Sequence, residues 1–290
     1  VIARALVLAA AVLVAAAAPG CANNNARDGR GGAVVRGPAP SYREAAAAYN
    51  ERVAPLGRFR AQVTVQFRYT DREGRSRIEQ PEGTVQIVRP DHLALSLGKI
   101  GQIKFWLGCD GSRYWWLDMM DGPVAYIGRH ERFDSAAARR LGLSLPPRSL
   151  IRVLCLTPID PDAPGATQWS RDGRRLGISS RIAATGEVQR VWVEPGTYRP
   201  RKVELFDASG TPAVVAELTG DERVSVPPGS FRGGSPWIPE YVTVYVQDTD
   251  ATVRVKLSDA RNDGVSDRAF DPDALLSAYG VERVEDLDAR

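Results

Sequence analysis

Three cysteines, two histidines and a scatter of carboxylates near turns are the residues that could do covalent, metal or acid–base chemistry. His92 follows a Pro-Asp turn, and His130 stands among Arg129, Glu131 and Arg132, so both read as solvated turn residues rather than ligands. Glu79, Glu82, Asp118 and Asp121 also lie near turns, where solvation accounts for them, and nothing selects two of them as a catalytic pair. No H-E-x-x-H, G-x-S-x-G, P-loop or C-x-x-C run occurs. The stretch GKIGQIKF holds Gly98 and Gly101 but lacks the other glycines and the strand-to-helix setting of a phosphate loop. These residues point away from an enzyme, and they call for no metal and no cofactor.

Cys21 stands apart because of its surroundings. Arg4 precedes an apolar segment, Ala5–Ala18, which suits a secretory signal and is shorter than the ~20 residues that span a bilayer as a helix. The small residues Ala18, Pro19 and Gly20 run directly into the cysteine. This resembles the bacterial lipoprotein signal, which implies that residues 1–20 are removed and that the Cys21 thiol and the new N-terminus receive acyl chains, palmitate among them. Residue 22 is alanine rather than aspartate, which by the same resemblance favours the outer membrane. Residues 21–40 then read as a flexible tether rich in Asn, Gly and Pro, with little to bury. The expected location is the cell envelope, lipid-anchored and facing the periplasm. In that oxidising compartment Cys109 and Cys155 are even in number and open to a disulfide; two buried thiols packing as small hydrophobes are the alternative.

Net charge is +3, with 38 basic against 35 acidic residues, which argues for neither nucleic acid nor a strongly anionic partner. The remaining residues, 41–290, are enough for one large β domain. Ser41 and Glu44 form a capping box ahead of a helix whose Tyr42, Ala45, Ala46, Tyr49 and Val53 share a face. Strict alternation follows. Phe59, Ala61, Val63, Val65, Phe67 and Tyr69 interleave with polar residues, and the pattern returns through Leu93–Leu97, Ile103–Cys109 and, after the Asp110-Gly111 turn, Arg113–Asp118. The first half is therefore expected as an antiparallel meander with one wet face. Short helices are expected at 135–141 and 148–156, further strands from about 175 to 257, and a last helix running from Asp271-Pro272 to Gly280. About ten or eleven strands need a cover, and the helices are the candidates.

The order of these pieces resembles the outer-membrane lipoprotein carrier and receptor family. The likeness rests on RFRAQVTVQFRY after a helix, on GTVQIVRPDHLALS, on the aromatic strand of CDGSRYWWLD, and on VWVEPGTYRPRKVELFDASG. The resemblance implies an unclosed antiparallel β-barrel, a half-barrel covered by short helices, with a hydrophobic cavity for the acyl chains of lipids or lipoproteins. Continuing the alternation from the first strand puts Phe59, Val63, Val65, Phe67, Leu93, Leu95, Phe105 and Leu107 on the cavity face. Trp115 and Trp116 must point to opposite sides, and Trp116 joins that set. A protruding apolar loop, as in the family's receptor, is expected at Gly122–Ile127 or Phe231–Ile238. The alternative is a structural or partner-binding lipoprotein with a filled core, for which Arg58, Arg60, Arg68, Arg72, Arg75 and Arg77 offer a docking surface to a protein in the envelope or to phosphate headgroups.

Overall fold

The computed structural model describes residues 37–70, 75–120, 122–133, 146–182, 185–227, 236–246 and 252–289. Cys21, the signal segment, the tether up to residue 36 and the helix expected at 135–141 lie outside the described residues.

Helix α1 (Tyr42–Val53) begins as the sequence dictates. The Glu44 N–H donates to Ser41 Oγ, and the Ser41 N–H donates to Glu44 Oε2 at 2.9 Å. Pro55, in a 3₁₀ turn over Ala54–Leu56, ends it. Helix α2 (Pro147–Val153) and helix α3 (Pro272–Tyr279) are shorter. Asp271 caps α3 by accepting from the Asp273 and Ala274 N–H groups, and Gly280, at φ +62°, takes the left-handed turn that stops it.

The strands run β1 (Arg58–Thr70), β2 (Ser76–Glu79), β3 (Glu82–Val88), β4 (His92–Lys99), β5 (Gln102–Cys109), β6 (Arg113–Asp118) and β7 (Val124–Arg129). The second half holds β8 (Gly165–Trp169), β9 (Leu176–Arg181), β10 (Val188–Val193), β11 (Pro200–Phe206), β12 (Pro212–Thr219), β13 (Glu222–Arg223), β14 (Trp237–Ile238), β15 (Tyr241–Val246), β16 (Thr252–Arg261) and β17 (Arg283–Asp286). One 15-stranded sheet has the order β17-β7-β6-β5-β4-β3-β1-β16-β15-β12-β11-β10-β9-β8, with β2 paired to β1 and a separate β13–β14 pair. The two ends of that path do not pair, so the barrel is unclosed. All pairs are antiparallel except β17 against β7, which makes the sheet mixed. The meanders on either side are joined by β16 returning to β1, in register from Gln62/Ser258 to Arg68/Thr252.

The count exceeds the ten or eleven expected. Gln80-Pro81 splits one expected strand into β2 and β3, and β7, β8 and β17 carry too little alternation to announce themselves. Gly122–Ile127, expected as a protruding loop, is largely β7, where Val124 and Ala125 are buried. The other expected loop, Phe231–Ile238, falls outside the described residues up to 235, and its last two residues form β14.

Cross-strand register assigns the faces. The rows Phe59–Ile87–Leu93–Cys109–Tyr114, Ala61–Val85–Leu95–Leu107–Trp116 and Val63–Gly83–Leu97–Phe105 share one side. The same side continues through Val255, Val242, Leu218 and, further along, Ala216, Val203, Val191 and Ile178. These residues form one large core with Ala45, Ala46, Tyr49 and Val53 of α1 and Ile151–Leu156 around α2. We call this the inner face.

The expectation of a wet outer side fails at β4–β6. Ala94, Trp106, Trp115, Leu117 and Ala125 make a second core on that side, sealed by Ala269, Phe270, Leu275 and Val281 from the C-terminal segment. Gly108 permits it. Trp115 stands opposite Gly108, and a Cβ there would meet the indole at 2.4 Å, so the ring lies across the glycine.

Candidate functional site

Eight of the nine sequence-derived cavity residues (Phe59, Val63, Val65, Phe67, Leu93, Phe105, Leu107, Trp116) are buried in the inner core, and Leu95 is partly buried against it. A register shift in β4–β5 falls between Leu97 and Gly98, beyond the positions that set the phase, so the alternation stays true across the row. Phe105 and Trp116 pack edge to face with centroids 4.8 Å apart. The Trp116 Nε1–H is buried and has no hydrogen-bond partner. Trp106 and Trp115, in the outer core, share that condition.

The residues over this face form a lid in which α1 is bonded to residues 155–160. Asn50 donates to the Ile159 carbonyl at 2.7 Å and accepts the Ile159 N–H at 2.8 Å. The Tyr49 hydroxyl donates to the Cys155 carbonyl at 2.8 Å, as does Arg52 Nη2 at 2.6 Å. Against the sheet, α1 presents Ala45, Ala46, Tyr49 and Val53, a side that is small and apolar apart from the tyrosine hydroxyl already bonded within the lid. Polar pegs tie its margins to the rest of the fold: Thr167 Oγ1 and Trp169 Nε1 donate to the Pro40 and Gly37 carbonyls, Arg89 and Asn262 to the Ala54 and Pro55 carbonyls, and Arg152 pairs with Glu187.

Cys109 and Cys155 are free thiols in this structure. Each is buried within the core, and the Cys109 thiol donates to the Asp91 carbonyl at 3.1 Å. Burial pushes both thiols up to about 12.

The histidines divide. His92 is partly exposed, with Nδ1 2.9 Å from Asp91 Oδ1 and its ring edge-on to Phe270. His130 is buried rather than solvated: Nε2 lies 2.9 Å from the Asp110 carbonyl, Nδ1 has no partner, and burial holds its pKa below the usual imidazole value. No group of three or more His, Cys, Asp or Glu side chains gathers among the described residues, and no helix there is long and apolar enough to cross a membrane. Of the arginines expected as a docking surface, Arg58 is tied to Asp267 at 2.8 Å, and Arg72 lies outside the described residues.

Sequence reasoning missed Ile100. It sits at the tip of the β4–β5 hairpin, fully exposed, at φ +52° beside Gly101 at φ +74°. A β-branched residue in the left-handed region is strained, and exposure gives that strain no packing in return. The sequence offers GKIGQIKF only as a failed phosphate loop, and nothing in it marks an apolar tip. A cleft of about 310 Å³ runs beside it, lined by Glu82, Leu97, Lys99 and Ile103 among others. Leu97 is its one link to the inner-face rows; none of the nine cavity residues read from the sequence lines it.

No family model matches the sequence, and none of the curated proteins does. Three solved structures are similar in fold. A LolA superfamily protein from Nitrosomonas europaea is 12% identical at a TM-score of 0.49, over 81% of this chain and 99% of that one. A DUF1329 family protein from Desulfovibrio piger is 14% identical at a TM-score of 0.46, over 79% of this chain and 98% of that one. A putative outer membrane lipoprotein-sorting protein domain from Vibrio parahaemolyticus is 13% identical at a TM-score of 0.46, over 81% and 99%. The fold is the extent of these likenesses.

Proposed function

We propose that the protein is an envelope lipoprotein, anchored through acylated Cys21 and the 21–40 tether, whose inner face holds acyl chains of a lipid or lipoprotein without covalent chemistry. The observation that carries this reading is the lid. Its internal hydrogen bonds join α1 to residues 155–159, its ties to the rest of the fold lie at its margins, and the side of α1 over the inner face is apolar, so an acyl chain can enter beneath α1 with the lid's internal bonds intact. Each methylene moved from water to that face contributes about 0.8 kcal/mol. An ester carbonyl beside Trp116 would also satisfy the orphaned indole N–H. Ile100 is then the apolar point at which the half-barrel meets a membrane.

The test is uptake of a fluorescent fatty acid by the purified chain, comparing wild type with Leu95→Glu and Phe105→Glu. Saturable uptake that both charges abolish supports the reading. The filled state of the inner face favours a second reading, an anchored scaffold with no ligand, and a protein that stays dark at all probe concentrations would establish that instead.

A further inference from the structure

A second concavity, of about 800 Å³, opens at the far end of the β5–β6 hairpin and has no part in the reading above. Arg113, Arg129, Arg148, His130 and the single carboxylate Glu131 are among its lining residues.

The three guanidiniums are poorly matched to the rest of the protein. Four other partly buried arginines have close acidic partners, Arg152 with Glu187 at 2.9 Å, Arg190 with Glu204 at 3.3 Å, Arg199 with Asp221 at 2.8 Å and Arg201 with Glu194 at 2.8 Å, while Arg52 and Arg89 donate to backbone carbonyls. Arg148 is also half-buried, yet no carboxylate or carbonyl holds it among the described residues. Arg113 and Arg129 face each other directly across β6 and β7, an arrangement of like charges that destabilises a strand pair. Their nearest carboxylates stand off at 3.5 Å (Asp110), 3.7 Å (Asp273) and 3.9 Å (Asp288), too far for strong hydrogen bonds. Those carboxylates have other work: Asp110 Oδ1 takes the Ser112 and Arg113 N–H groups, and Asp288 takes the Arg129 N–H. Three guanidiniums with donors to spare therefore meet at one opening.

We propose that this cleft binds a phosphate group. Guanidinium forks match the oxygens of a tetrahedral phosphate in bidentate fashion, and an anion between them removes the repulsion across β6 and β7. The cleft has room for more than a bare phosphate ion, so a soluble phosphate ester and the headgroup of a phospholipid both fit it. None of the nine acyl-face residues lines the cleft, so this assignment stands or falls separately from the acyl-binding one.

The full chain carrying Cys21→Ser, which cannot be acylated, serves for the test. It is titrated with inorganic phosphate by calorimetry, and floated with phosphatidylcholine vesicles with and without phosphatidylglycerol. Phosphate binding is expected to saturate and to weaken by about tenfold or more in Arg148→Gln and in the exposed Arg129→Gln, a change the fold tolerates. Arg254→Gln, an exposed arginine over Tyr241 on β16, should leave it unchanged. Phosphate binding with phosphatidylglycerol-dependent flotation identifies a lipid headgroup; phosphate binding without flotation identifies a soluble ester. Absence of saturable phosphate binding overturns the proposal whatever the vesicles do, and so does an equal loss in Arg254→Gln.

Discussion

Replacing Asn50 with alanine asks whether the lid is a separable unit. The substitution deletes both bonds to Ile159, at 2.7 and 2.8 Å, and leaves that residue's N–H and carbonyl without their partner. Two ordinary hydrogen bonds are worth about 1–3 kcal/mol together. Alanine's better helix propensity returns up to about 0.7 kcal/mol in α1, so a net loss of about 1–2 kcal/mol is expected. If the lid opens by itself, that loss appears as a roughly 5- to 30-fold rise in its open population. Hydrogen exchange read by mass spectrometry should then show faster exchange in peptides covering 42–53 and 150–160, with β5 and β6 unchanged. Fatty-acid uptake should accelerate by a similar factor. Uniform loss of protection across the sheet would refute the reasoning, because the lid and the half-barrel would then unfold as one body.

Other outcomes follow from single sites. Trp115→Ala empties the centre of the outer core and should cost about 3–5 kcal/mol in urea unfolding, since the ring is fully buried. Ile100→Gly removes the left-handed strain and should raise stability by about 1 kcal/mol while weakening vesicle binding, readable by thermal melting and flotation. Cys109 and Cys155, with thiols near 12, hold only about 10⁻⁴ of their population as thiolate at pH 8; both should resist a thiol reagent in the native state and react on unfolding. Burial holds the His130 pKa below its unfolded value, so near that value the native state binds fewer protons than the unfolded one. Stability should therefore fall as pH drops through and below the unfolded imidazole value of 6.5, and His130→Asn should flatten that slope.

Local rules in the sequence carried much of the architecture. The Ser41/Glu44 capping box, the Asp271-Pro272 start and Gly280 stop, and the alternation of Phe59–Phe67 and Leu93–Leu107 all depend on neighbours a few residues away, and each appears where local chemistry demands it. Long-range features stayed hidden. The second core on β4–β6 needs residues 269–281 to fold back over Trp115, and nothing within RYWWLD distinguishes a wet outer face from one covered 150 residues later. His130 was misread for the same reason: its burial comes from the way β7 ends against the β5–β6 turn, not from its charged neighbours in sequence. The paired arginines 113 and 129 emerge only from strand register. Of the candidate site, the inner row was readable because period-two alternation survives across five strands. Its lid was not, since the Asn50–Ile159 contact spans 109 residues.

The central claim, that the inner face receives acyl chains, is tested most directly by native mass spectrometry of the protein purified without detergent, followed by denaturation to identify what is released. The account predicts a bound lipid at one or a small whole number per chain, lost in Leu95→Glu while the fold persists by circular dichroism. A protein of bare polypeptide mass that also fails to acquire lipid from added vesicles would contradict it.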